Sequence, residues 1–291
     1  MTANWLEGGA LSKRLREEAA ARGRKVAADL GRPPTLASLR VGDDAASEGY
    51  QRTKGGAATR IGLDYRAEHL PAGTPTGAVV DALRRLQADD GVDAVMVEMP
   101  LPAGCDTAAV VAAIDPARDV DAVHPASLGR LACGLPGPVP ATPRAVMALL
   151  AESGVPLAGA HAVVVGRSRT VGLPAALLLL QADATVTVCH SRSRRLAAHT
   201  RRADVLVVAA GRPGLVGPAD IKPGAVVVDV GTNWVSDGAR EHMVGDVDTA
   251  AVAEVAGWVT PVPGGVGPVT TALILLSTVE LAERRLARPA G

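Results

Sequence analysis

The sequence has no phenylalanine, two tyrosines and three tryptophans among 291 residues. With hydrophobic residues at 48% of the chain, a close-packed core must be filled by alanine, valine and leucine. A surplus of charge is also lacking, since 30 Lys and Arg face 30 Asp and Glu. That balance gives no electrostatic footprint for nucleic acid or an anionic membrane surface. Cysteines are few. Cys105, Cys133 and Cys189 form no CxxC pair and no metal-ligand spacing. They predict no metal site and a reducing, cytoplasmic setting. The opening MTANWLEGGALSKRLREE reads as a charged helix, not a signal peptide. No wholly apolar run exceeds about eight residues, at Leu173 to Leu180, against roughly 20 for a membrane span.

What is present is alternation. The length suits two domains. In the first region, residues 11–30, 44–61, 76–89 and 107–114 read as helices, and 35–41, 63–70 and 93–99 as strands. Residues 135–143, rich in Pro and Gly, read as a boundary. Strands are then expected at 162–165, 184–189, 205–209 and 225–230. Helices are expected at 173–181, 194–202 and 269–288. Strand followed by helix throughout predicts an α/β fold with parallel sheets.

The sharpest local signal is AVVVGRSRTVGLPAALLLL. A buried strand runs into Gly166, a polar loop carries Arg167 and Ser168, and a helix opens near Gly172. Glycine permits positive φ and close approach of backbone to a ligand. The helix N-terminus offers free N–H groups to a phosphate. The spacing departs from GxGxxG, and a plain tight turn between strand and helix would also fit. In sheets that bind NAD, an acid falls about 20 residues after the fingerprint. Here Cys189, His190, Ser191 and Arg192 occupy that region, which favours NADP. Cys189 itself reads as core packing.

The segments VGDDAASEGYQRTK, VEMPLP, DPARDVDAVHP, VVVGRSRTVGLP, TVTVCHS, IKPGAVVVDVGTN, VGDVD and TPVPGGVGPVT carry a wider resemblance. In order and spacing they resemble the bifunctional methylenetetrahydrofolate dehydrogenase/cyclohydrolase family over nearly the whole chain. The resemblance implies a catalytic folate-binding domain at 1–141 and 269–291 and a Rossmann NADP-binding domain at 142–268. It implies that the C-terminal helix packs back on the first domain. It further implies a folate substrate, NADP as cofactor, a homodimer, and no metal, nucleic-acid or membrane partner.

By the same resemblance, Tyr50 stacks on the folate and Lys54 is catalytic. Their i, i+4 spacing puts both on one helix face. Asp121 matches the carboxylate that grips the pterin, whose adjacent N–H donors suit a charged acceptor. Gly166, Arg167, Ser168 and Gly172 match the NADP loop. Ser191 matches a contact to the 2′-phosphate, and Thr232 a backbone contact near the nicotinamide. Pro261, Gly264 and Gly265 match a loop that lines the folate. Taken singly, Lys54 would read as a surface lysine, Tyr50 as a core aromatic and Asp119 as a turn residue. The joint pattern carries the reading.

One departure stands at a catalytic position. Glu98 replaces a Gln that lies beside the family's catalytic lysine. A neutral amide orients an amine without holding its proton, whereas a carboxylate favours the ammonium. Glu98 could weaken the hydrolysis, act as the base itself, or stay protonated and mimic the amide. Ala122, Val123, Ser127, Ala141 and Val269 also differ from the family, mostly toward smaller side chains. Three other functions compete with the bifunctional one. A dehydrogenase without hydrolysis would accumulate the methenyl product. A binding protein without turnover would not need Lys54. An unrelated Rossmann dehydrogenase would not explain PVPGGVGP.

Overall fold

The computed structural model describes residues 2–236, 238 and 241–287. Among these, the first stretch comprises β1 (Asn4–Trp5), α1 (Gly8–Leu30), β2 (Thr35–Val41), α2 (Ala45–Arg60), β3 (Asp64–Leu70), α3 (Thr76–Ala88), β4 (Ala94–Val97), α4 (Thr107–Ala112), α5 (Pro125–Ala132) and α6 (Ala141–Glu152). There follow β5 (His161–Val165), α7 (Gly172–Gln181), β6 (Thr185–Cys189), α8 (Leu196–Thr200), β7 (Val205–Val208), β8 (Val226–Asp229), β9 (Asn233–Ser236), β10 (Glu241–Val244), α9 (Thr249–Val252), β11 (Trp258–Val259) and α10 (Val266–Leu286).

The chain divides into two compact units, both α/β. One consists of Lys13–Arg130, Pro136–Ala141 and Thr271–Gly291. Its parallel sheet runs β3-β2-β4. Every residue of β2 is buried, so both faces of this strand are covered. Ala37, Leu39 and Val41 face one way, onto Val79, Ala82 and Leu83 of α3. Leu36, Ser38 and Arg40 alternate with them and face the other way. The final helix packs on this unit. Leu275, Val279 and Ala282 meet Val26, Ala57 and Leu63, and Glu283 accepts from Arg22 at 2.6 and 3.0 Å. By length and composition α10 could cross a membrane, but 67% of its apolar window is buried within the protein. Its apolarity serves a core.

The other unit consists of Met1–Ser12, Leu131–Leu135 and Thr142–Thr270. Its sheet runs β1-β11-β8-β7-β5-β6, with every pairing parallel. Val163, Val165, Leu206, Val208, Val227 and Val259 form its core. The residues before Ser12 belong here because β1 pairs with β11 and Ala3 donates to Ala253 O at 2.7 Å. The sequence boundary near 141 does not assign them so. Among the described residues, seven elements were not expected from sequence: β1, α5, α6, α9, β11 and the antiparallel pair β9–β10. α6 begins inside the Pro/Gly-rich stretch. The helix expected at 194–202 is shorter because Arg195 is left-handed at φ 54°. The end expected for the last helix at residue 288 lies outside the described residues.

Candidate active site and nucleotide site

In the first unit, α2 begins at Asp44, whose carboxylate caps it by accepting from Ser47 N at 2.7 Å. One turn apart on this helix, Tyr50 is 42% exposed whereas Lys54 is 3% exposed. The Lys54 Nζ stands 5.6 Å from the centroid of the Tyr50 ring, a cation–π distance. Glu98 leaves the end of β4, held by its N–H on Leu39 O at 2.9 Å. Its Oε2 accepts from Lys54 Nζ at 2.7 Å, and its Oε1 from Ser38 Oγ at 2.6 Å. The buried carboxylate and ammonium therefore form a charge-assisted pair.

Asp121 follows the bridge between Val95 and Asp119. Burial pushes its carboxyl up to about 6, with Lys54 pulling it down and Asp119 and Glu98 adding to the rise. The structure thus couples Lys54, Glu98 and Asp121 electrostatically in one unit, with Tyr50 against the ammonium. Asp119 has a different place. It accepts from His124 N at 2.8 Å and Ser127 Oγ at 3.2 Å, which organises the turn after Asp121. Ser127 is thereby a turn partner.

Sequence reasoning missed Ser38, Arg40 and Gln51. Gln51 Nε2 donates to Ser38 O at 3.1 Å and Ser38 Oγ at 3.2 Å, and Arg40 Nε donates to Gln51 Oε1 at 3.4 Å. The available signal was two polar residues on one face of the otherwise apolar strand TLASLRV. The Tyr65 hydroxyl is buried without hydrogen-bond geometry to any partner among the described residues. Burial raises its pKa well above the phenol range, with Ser38 opposing and Glu98 reinforcing.

The second unit builds its site from backbone. Gly166 ends β5 at φ 132°, and a Cβ there would collide with Ala209 O. A Cβ on Gly172 would collide with Gly166 O. The Ser168 hydroxyl accepts from Val171 N and Gly172 N, each at 3.2 Å, and so opens α7. Arg167, Ser191 and Arg192 are exposed, on the loops after β5 and β6, which are neighbours in the sheet. Cys189 is buried in the core. Thr232 is exposed just before β9. A tight glycine turn, a helix N-terminus and cations in place of an acid fit a dinucleotide with a 2′-phosphate.

Two acids missed from sequence shape this region. Asp229 accepts from Gly231 N at 2.8 Å and from Asp246 N and Val247 N at 3.0 Å. Burial pushes its carboxyl up to about 6, against those three N–H groups. Asp246 accepts from Ala210 N at 2.6 Å, Gly211 N at 2.9 Å and Arg212 N at 2.7 Å. An acid ending the apolar run AVVVD was the sequence signal. Pro261, Gly264 and Gly265, expected on the folate, lie in this unit. Gly265 N donates to Pro261 O at 2.8 Å, and Gly264 has φ 114°.

Comparison with known proteins decides the family. The family model for the tetrahydrofolate dehydrogenase/cyclohydrolase catalytic domain matches residues 6–121, and that for its NAD(P)-binding domain matches residues 140–286. The chain belongs to the tetrahydrofolate dehydrogenase/cyclohydrolase family. A relative from a Synechococcus species, named bifunctional protein FolD, is 48% identical over 99% of this chain and 98% of its own length. The FolD crystal structure from Campylobacter jejuni is 38% identical, with a TM-score of 0.93 over 97% of this chain and 99% of that one. The FolD structure from Trypanosoma brucei, complexed with NADP cofactor and inhibitor, is 36% identical. It gives a TM-score of 0.95 over 99% of this chain and 100% of that one. The family match covers both units, so both sites belong to one enzyme.

Proposed function

We propose that this chain oxidises 5,10-methylenetetrahydrofolate with NADP and hydrolyses the methenyl product to 10-formyltetrahydrofolate. The observation that carries this is the buried Lys54, 2.7 Å from Glu98 and 5.6 Å from the Tyr50 ring, with its charge acting on Asp121. The exposed Tyr50 ring offers a flat face to a pterin. The Asp121 carboxylate is an acceptor for adjacent N–H donors of that ring.

Hydrolysis adds water to the methenyl carbon, breaks its bond to N5 and releases one proton. Lys54, one turn below the exposed Tyr50 ring, is the group that passes protons between water and N5. Glu98 and the Tyr50 ring hold its Nζ in place. When bound, NADP supplies the hydride acceptor. Gly166, Arg167, Ser168, Gly172, Ser191 and Thr232 are the residues that would hold it. Pro261, Gly264 and Gly265 shape a rigid loop for the folate. A dehydrogenase silenced in hydrolysis by Glu98 is not favoured, because relatives at 48% identity are named bifunctional.

The test follows NADPH, methenyl and formyl products together in wild type and Glu98→Gln. Formyl product made faster than spontaneous hydrolysis supports the reading. Accumulated methenyl product that Glu98→Gln discharges would establish the monofunctional alternative. The working form is proposed as a cytoplasmic homodimer. Exposed Leu173, Leu180 and Val188 on neighbouring α7 and β6 and three free cysteines support that view. Light scattering after gel filtration checks the mass.

A further inference from the structure

Polar groups inside β2 are unusual for a strand buried along its whole length. Ser38 is 0% exposed and Arg40 8%, and Gln51 of α2, 6% exposed, joins them. Hydrogen bonds link the three in series. The Ser38 carbonyl can only accept, so the Gln51 amide must turn its NH2 toward Ser38. That leaves Oε1 facing the Arg40 guanidinium. The Ser38 hydroxyl, already accepting from Gln51, spends its single proton on Glu98 Oε1. Arg40 is in turn anchored by NH1 on Gly42 O at 2.6 Å. Lys54 closes the series on Glu98 Oε2. From Arg40 Nε through the Gln51 amide to the Ser38 hydroxyl the donors run in series toward Glu98, and both carboxylate oxygens are acceptors.

We infer that Arg40, Gln51 and Ser38 form a one-way hydrogen-bond relay that fixes the Glu98 carboxylate and, through it, positions Lys54 for methenyl hydrolysis. The inference rests on the proposed function. A carboxylate held by one oxygen alone swings about its last torsion. With Oε1 taken by Ser38, Oε2 is dedicated to the ammonium, and Nζ has one location. Ser38, Gln51 and Arg40 touch no reacting atom. They are positioning residues. A buried hydrogen-bond network keeps its geometry only while its members are present.

The experiment supplies methenyltetrahydrofolate directly, so that hydrolysis is read independently of hydride transfer. Ser38→Ala, Ser38→Thr and Gln51→Leu are compared with wild type for hydrolytic kcat and KM, for NADPH formation, and for Tm. Ser38→Ala is expected to lower the hydrolytic kcat about 10-fold at unchanged KM, with NADPH formation nearly kept and Tm lower by a few degrees. Ser38→Thr, which restores the hydroxyl, is expected to recover most of the rate. Gln51→Leu is expected to give a smaller loss of the same kind, and it carries the test if Ser38→Ala fails to fold. Variants that hydrolyse at the wild-type rate would overturn the inference and leave the function standing. So would parallel loss of both activities with Tm, or no recovery in Ser38→Thr. A wild type that never outruns spontaneous hydrolysis would overturn the relay and the hydrolytic half of the function together. Its NADPH formation would then decide the other half.

Discussion

The two units solve the same problem with different materials. The unit holding Lys54 builds its site from buried charged side chains, Lys54, Glu98, Arg40 and the partly buried Asp121, each paired or coupled to another. The unit holding Gly166 builds its site from backbone, with glycines where a Cβ cannot fit and with Asp229 and Asp246 gathering N–H groups. A side-chain site can retune its chemistry by one substitution, as Glu98 shows. A backbone site cannot be retuned so easily, because its donors belong to every residue type. Its sensitive positions are those where space or φ admits glycine alone.

This contrast can be broken most sharply at Lys54. Lys54→Met is expected to lower methenyl hydrolysis about 1000-fold while NADPH formation falls far less, as measured by separate assays. Equal losses would show that the side-chain site serves both reactions alike. Gly166→Ala comes next. Strain at φ 132° and collision with Ala209 O should raise the KM for NADP roughly 10- to 100-fold or cost a comparable share of stability, seen in a Tm scan. Gly214→Ala is the control, since it also has positive φ but meets nothing within 4 Å.

A third test uses pH. The Asp121 carboxyl is pushed up to about 6, so the ionised acceptor is present above that value and lost as pH falls through it. The kcat/KM for the folate should then drop up to about 10-fold per pH unit below 6. Asp121→Asn should lower the plateau and remove that inflection. The smallest effect is expected at the exposed cations. Arg192→Ala should weaken NADP about 3- to 10-fold and leave NAD almost unchanged, since one surface charge on a phosphate is partly screened.

The same contrast explains what was legible in the sequence. α2 with Tyr50 and Lys54, and β5 with its glycine loop, were visible because their information is local. A helix face and a strand–turn–helix junction are written in neighbouring residues. β7, wholly apolar, and β8, apolar up to Asp229, were visible for the same reason. The relay was not, because Ser38, Gln51 and Glu98 lie on three elements and acquire meaning only when β2 pairs with β4 and receives α2. Asp229 and Asp246 stand inside motifs, but their roles are not legible there, since their partners are mostly backbone groups that carry no residue identity. β1 and β11, at two residues each, are too short for any periodicity. The extent of α8 was misjudged because Arg195 takes a left-handed conformation usually left to glycine or asparagine.

The pairing of Asn4 and Trp5 with Trp258 and Val259 has a consequence for how the molecule is made. These residues are synthesised long before the strand they join. Through most of synthesis they have no sheet to complete, and the growing nucleotide unit has an open flank. Its last strand is laid down only when residues some 250 positions away in sequence return to it, a loop closure of slow, long-range type. Gly8 adds a second tie, since its N–H donates to Gly264 O at 2.8 Å. A gene fragment encoding residues 142–270 would therefore carry β11 paired with β8 but without β1 on its other side. Excising this unit for separate expression calls for a circular rearrangement of the chain, and not a simple cut.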